Sequence, residues 1–155
     1  MKHQSDILAL KYRPTDFKDL IGQEYLVETI QKSIELNKIP NAYIFTGIRG
    51  VGKTTTARIV AKMLNCTTFD QNNKIDLNNC DQAKAISEDR HPDVIEIDAA
   101  SNTSVENARE IIENVKYNPV LGKFKVYIID EVHMLSKSAF NALLKTLEEP
   151  PPHSK

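Results

Sequence analysis

Apolar residues recur at helical spacing in four stretches of this chain and gather into short β-branched or aromatic runs in three others. Between residues 24 and 36, Leu26, Ile30 and Ile34 share one helical face; farther on, Ile59, Val60, Met63 and Leu64 do the same. A third helix opens on a capping box from Thr103 to Glu106 and carries Val105, Ala108, Ile112 and Val115. The fourth has Ser136 as its N-cap, with Phe140, Leu143, Leu144 and Leu147 at i, i+3, i+4 and i+7, and Pro150-Pro151-Pro152 stops it. These stripes predict core-facing sides. The strand candidates are Tyr43-Ile44-Phe45-Thr46, Val94-Ile95-Glu96-Ile97-Asp98 and Lys125-Val126-Tyr127-Ile128-Ile129. The last reads as a strand buried on both faces of a parallel sheet. Strands alternating with helices predict an α/β fold with helices flanking a parallel sheet. The polar, Asn/Asp-rich stretch from Thr67 to Asn79 predicts a flexible surface excursion.

Composition narrows the classes. The 155 residues suit one domain, and 41% hydrophobic with 26% charged content is ordinary for a soluble protein. A net charge of −1 gives no broad basic surface for autonomous nucleic-acid binding. No apolar run approaches the roughly 20 residues that cross a bilayer, and the N-terminus leads into no signal-peptide core, so no membrane association is expected. Two cysteines, Cys66 and Cys80, make no disulfide framework and predict a reducing, cytoplasmic setting.

Chemistry enters at Gly47-Ile48-Arg49-Gly50-Val51-Gly52-Lys53-Thr54, which fits the phosphate-binding pattern G-x-x-x-x-G-K-[ST], or Walker A. A triphosphate needs backbone N–H groups close around it, and Gly47, Gly50 and Gly52 let the chain turn through positive φ and approach. Lys53 adds a positive charge for the β- and γ-phosphates, and the Thr54 hydroxyl is a ligand for Mg²⁺. A strand before the loop and a helix behind it complete an anion-binding arrangement. This reading leaves ATP and GTP both open.

The strand at 125–129 ends in Asp130-Glu131, two carboxylates at the carboxyl edge of the sheet, as in a Walker B strand. Asp130 is the expected Mg²⁺ holder and Glu131 the group that orients and deprotonates the attacking water.

In order along the chain, these blocks resemble the gamma/tau subunits of bacterial DNA polymerase III, from about Leu8 to Pro151. Leu10-Lys11-Tyr12-Arg13-Pro14, with Phe17 and Leu20-Ile21-Gly22-Gln23, resembles the family segment that folds over adenine. The loop and its helix, Ile95 to Ser101, Asp130-Glu131-Val132-His133-Met134-Leu135, and the run from Asn141 to Pro150 carry the rest. The resemblance implies an AAA+ fold and ATP rather than GTP, with Tyr12 and Arg13 near adenine and ribose. Arg49 faces either phosphate or solvent. It also implies delta and delta-prime partners, which together place a sliding clamp on primed DNA. Residues 1–155 then form a partial AAA+ domain, with Walker A at 47–54, a degenerate zinc-module region at 66–83 and Walker B at 126–131.

Two departures qualify the resemblance. The family carries four zinc-binding cysteines after the loop helix; here the four positions read Cys66, Leu77, Cys80 and Ala83. Leucine and alanine cannot ligate zinc, so no stoichiometric zinc is expected. Secondly, the chain supplies the first three strands of a 5-1-4-3-2 sheet. The missing fourth belongs between the two Walker strands, and its absence leaves the two halves of the site without the strand that joins them. The expectation is weak ATP binding and negligible turnover by this chain alone. The leading reading is an ATP-dependent clamp-loader subunit or its N-terminal ATPase portion, and the competing one a truncated, catalytically inactive remnant acting at most as a nucleotide- or partner-binding fragment. A DExH helicase, suggested by Asp130-Glu131-Val132-His133, lacks its second lobe. No polymerase active site is visible; that label belongs to the holoenzyme.

Overall fold

The computed structural model describes residues 12–72, 74–102 and 104–155. Leu8, Leu10, Lys11 and Thr103, all used in the sequence reading, lie outside the described residues. In chain order the elements are α1 (Glu24–Glu35), α2 (Lys53–Asn65), α3 (Asp81–Ser87), β1 (Val94–Asp98), α4 (Val105–Val115), β2 (Val126–Asp130) and α5 (Lys137–Glu148). Short 3-10 turns sit at Phe17–Asp19 and Val132–Met134.

The two strands pair in parallel, Val94 opposite Val126 and Asp98 opposite Asp130. Because side chains alternate across a strand, β2 serves two cores. Val126 and Ile128 join Phe17, Leu20, Ile30 and the buried face of α2 on one side of the sheet. Ile129 packs with Ala108 of α4 and Ala139 and Leu143 of α5 on the other. The result is a three-layer α/β arrangement, as the alternation of strands and helices predicts.

A buried carboxylate fixes the approach to β2. Asp93 accepts the backbone N–H groups of Val120, Leu121 and Gly122, each at 2.7 Å. Nearby, the Asn65 side-chain oxygen takes the Phe124 N–H at 2.8 Å. Gly122 is obligatory at this point, since a Cβ there would stand 2.7 Å from that same oxygen.

Five expectations need correction. Residues 43–46 are extended but are not a buried strand: Tyr43 and Phe45 stack and face the core, while Ile44 is 85% exposed. Among the described residues no backbone hydrogen bond joins this segment to a neighbour, so it has no ladder to enter. On α5, Leu143 is buried but Phe140, Leu144 and Leu147 stay about two-fifths exposed, because the helix packs on α4 mainly through Ala139, Ala142 and Leu143. The N-cap of α4 is Ser104, whose hydroxyl accepts from Asn107 at 3.2 Å; the expected cap, Thr103, lies outside the described residues. The 67–79 stretch is organised as a small hairpin: Phe69 bridges Ile75, and Asp70 Oδ1 accepts the N–H groups of Asn72 and Lys74. Helix α3 follows it, with Ala83 and Ile86 buried, too short for its periodicity to stand out.

The fifth correction concerns the sheet. Lys125 N–H donates to His153 at 2.7 Å, Lys155 N–H donates to Lys125 at 2.9 Å, and Tyr127 N–H donates to Lys155 at 2.9 Å. Residues 153–155 therefore pair in parallel with the free side of β2, through an isolated bridge between Lys125 and Ser154. A Pro-Pro-Pro run followed by His-Ser-Lys carries no hydrophobic alternation from which to read this.

Candidate nucleotide site

The loop at 47–54 joins the extended 43–46 segment to α2. Its glycines adopt the backbone that the spacing requires: φ is +144° at Gly47, +86° at Gly50 and +87° at Gly52. A Cβ added at Gly50 or Gly52 would meet only open space, so these two are glycine for their φ and not for lack of room. Ile48, Arg49 and Gly50 are exposed at the tip, and Val51 is exposed beside them. Gly52 is the N-cap of α2 and makes no side-chain cap, leaving first-turn N–H groups for an outside acceptor. Lys53 Nζ donates to the carbonyls of Gly47 and Ile48, at 2.9 and 3.0 Å, laying its charge across the loop.

The halves of the site meet directly at a side-chain contact, without a strand between them. Thr54 Oγ1 donates to Asp130 Oδ2 at 2.9 Å. The other Asp130 oxygen accepts the Glu131 N–H at 3.0 Å, which aims the carboxylate along the end of β2. Contact between β2 and the start of α2 places both motifs at one sheet end without a strand between them. Glu131 has φ 51° and ψ 42°, left-handed for a residue with a side chain. Its carboxylate is half exposed and lies 3.4 Å from His133 Nδ1.

This donor set fits Mg·ATP. A hydroxyl and a carboxylate oxygen in contact suit a hard divalent cation, and loop amides with an ammonium suit phosphate. Tyr12 is exposed and Arg13 partly buried in the segment leading to Phe17. That segment is tied to α2 by Lys62, which donates to the Thr15 carbonyl at 3.2 Å. Burial, and then Arg58, hold the Lys62 ammonium below its ordinary pKa. Sequence reasoning passed over Lys62, since a buried lysine has no periodic signal. Arg58 grips β1 through Glu96 at 2.6 Å and reaches Asp89 at 3.0 Å.

The 66–83 region gathers around the same core. Cys66, Leu77, Cys80 and Ala83 are all buried in one cluster, so hydrocarbon fills two of four ligand positions and the residues do not fit structural zinc. Burial and a bond to Cys80 push the Cys66 thiol up to about 12. Burial also opposes ionisation of Cys80, but bonds from Cys66 and from the amides of Ala83, Gln82 and Thr67 outweigh it and lower its pKa. His91, buried, bonds Gln82 at 3.0 Å and the Asp93 amide at 3.1 Å, and it joins neither cysteine in a metal set. No described helix is long and apolar enough to cross a membrane.

A three-layer α/β arrangement with a glycine loop capping a helix, set against a strand ending in acid, is a P-loop fold of the AAA+ type. A family profile described as "DNA polymerase III, delta subunit" matches residues 22–155, and the chain belongs to that family. It is 52% identical over 149 residues to the DNA polymerase III subunit tau of Salmonella typhimurium, covering 96% of this chain and 23% of the relative. The DNA polymerase III subunit gamma of Buchnera aphidicola subsp. Schizaphis graminum is also 52% identical, with 96% and 40% covered. The subunit tau of Bacillus subtilis is 50% identical over 142 residues, with 92% and 25% covered. The chain thus spans less than half the length of each of these relatives.

Proposed function

We propose that the chain binds Mg·ATP at residues 47–54 and serves as the nucleotide-binding part of a clamp-loader ATPase of the gamma/tau kind. In that role it acts with delta and delta-prime subunits, coupling ATP binding and hydrolysis to placement of a sliding clamp on primed DNA. The observation that carries the proposal is the 2.9 Å contact between Thr54 and Asp130, which unites two motifs 76 residues apart.

Each residue then has a task. The amides of 48–53 cradle the phosphates, and Lys53 leaves its loop carbonyls to pair with the β- and γ-phosphates. Thr54 and Asp130 hold the cation, which when bound neutralises the charge developing on the phosphates. Glu131 orients the attacking water and takes its proton, while Tyr12 and Arg13 flank adenine and ribose. A second reading, a partner-binding remnant with little turnover, is favoured by the 43–46 segment, which has no backbone partner among the described residues, and by the exposed Ile44 and Ile48.

Calorimetry on variants tests the assignment. Lys53→Ala removes most of the Mg·ATP affinity, whereas Glu131→Gln binds Mg·ATP as the parent does and hydrolyses none. Equal ATP affinity in the parent and Lys53→Ala would remove the loop as the site.

A further inference from the structure

We propose that Lys62 is a positioning residue for base recognition: its ammonium pins the Thr15 carbonyl and so holds Tyr12 and Arg13 against the base of a nucleotide seated in the 47–54 loop. The inference rests on the nucleotide reading above. Lys62 lies on α2 between the core residues Ala61 and Met63 and is only 5% exposed. Hydrocarbon would fill such a place without the cost of burying an ammonium. The lysine Nζ donates to the Thr15 carbonyl at 3.2 Å, its one hydrogen-bond partner among the described residues. Burial and Arg58 work against the charge, whereas Asp16 and Asp19 of the N-terminal segment favour it. The bond joins residues 47 positions apart and ties that segment to the helix that opens on the phosphate loop.

Thr15 is the point at which the segment changes character. Behind it the chain is fixed: Asp19 Oδ2 accepts the N–H groups of Thr15 and Asp16, each at 3.2 Å, and Phe17 is buried in the core. Ahead of it, Tyr12 is 73% exposed and Arg13 partly so. Pro14 stands between. Its ring locks its own φ, and its Cδ confines Arg13 to extended backbone, so residues 12–14 form a stiff arm. A stiff arm points where its root is held. Asp19 holds that root from within the segment, and Lys62 holds it from α2. Arg58, one turn earlier on α2, turns instead to Glu96 and Asp89. Among the described residues, Lys62 is therefore the hydrogen bond that sets the arm relative to the loop helix.

The test is calorimetry on the 155-residue chain with two probes, Mg·ATP and Mg·triphosphate, the inorganic ion that has no base. The parent should bind Mg·ATP the more tightly. Lys62→Met keeps the hydrocarbon and removes the donor; it should lose about tenfold in Mg·ATP affinity while holding Mg·triphosphate within about twofold. Tyr12→Ala should show the same selective loss. The double variant should lose no more than the larger single loss, because Lys62 acts through the arm. If circular dichroism shows Lys62→Met unfolded, Lys62→Gln, whose shorter chain does not reach Thr15, carries the same expectation. Parallel loss of both ligands, unchanged Mg·ATP affinity, or additive losses in the double variant would overturn the proposal and leave the loop as the site. So would a parent that binds both ligands equally. A parent that binds neither would remove the nucleotide reading itself, and this inference with it.

Discussion

Glu131 and Asp93 show two ways in which one carboxylate shapes this molecule. Glu131 occupies left-handed backbone at φ 51°, a conformation that costs a residue with a Cβ on the order of 1 kcal/mol. The strain sits where the proposed water-activating group is needed. Glu131→Gly should therefore raise the thermal midpoint, by up to about 1 kcal/mol of stability, while removing hydrolysis; a lower midpoint would show that the strain is not relieved. Asp93 works through its hydrogen bonds. Burial alone would raise its pKa, but the amides of Gly122, Val120 and Leu121 and the nearby His91 hold it below the ordinary carboxylate value. A depressed folded value means that its contribution is complete above the unfolded pKa of about 3.9 and is lost as pH falls through the folded value. Asp93→Ala should cost about 2 kcal/mol in urea unfolding at neutral pH and flatten the acid limb of the stability profile. Unchanged acid sensitivity in that variant would refute the assignment.

At the level of elements, a cap and a strand explain which features could be read in advance. Ser136 was legible because an N-cap is local: its hydroxyl accepts from Ala139 at 3.1 Å, and Ser136→Ala should cost about 1 kcal/mol in denaturant unfolding. Strands β1 and β2 and the phosphate loop were legible for the same reason, since β-branched runs and glycine spacing act over a few residues. Features set by distant partners were not. Tyr43 to Thr46 has the composition of a strand, yet pairing depends on a neighbour that the segment itself does not specify. His153 to Lys155 has no strand composition, yet β2 offers it a ladder. The stripe on α5 gave the correct helix but not its buried arc, because only the packed face of α4 decides which of Phe140, Leu143, Leu144 and Leu147 is covered. Cys66, Leu77, Cys80 and Ala83 were legible as a set by resemblance, and the fold brings them together as hydrocarbon-filled core. Metal analysis of purified chain should accordingly give far less than one zinc per chain, unchanged by Cys80→Ser; near-stoichiometric zinc lost in that variant would contradict it.

For the molecule as a whole, the phosphate site is assembled from both of its motifs. Thr54 and Asp130 touch, the loop glycines hold their required φ values, and α2 presents its N-terminus. Around them, among the described residues, the extended 43–46 segment has no backbone ladder partner and several large apolar side chains face solvent. A phosphate site flanked by an extended 43–46 segment with no backbone partner among the described residues should bind nucleotide weakly, with Kd on the order of 100 µM, or about −5.5 kcal/mol. The most direct measurement is calorimetric titration of the purified chain and its Lys53→Ala variant with Mg·ATP, after circular dichroism shows both to be folded. The account predicts weak, saturable, one-site binding by the parent and at least a tenfold loss (about 1.4 kcal/mol) in the variant. Indistinguishable titrations for the two folded proteins, with or without heat, would contradict it.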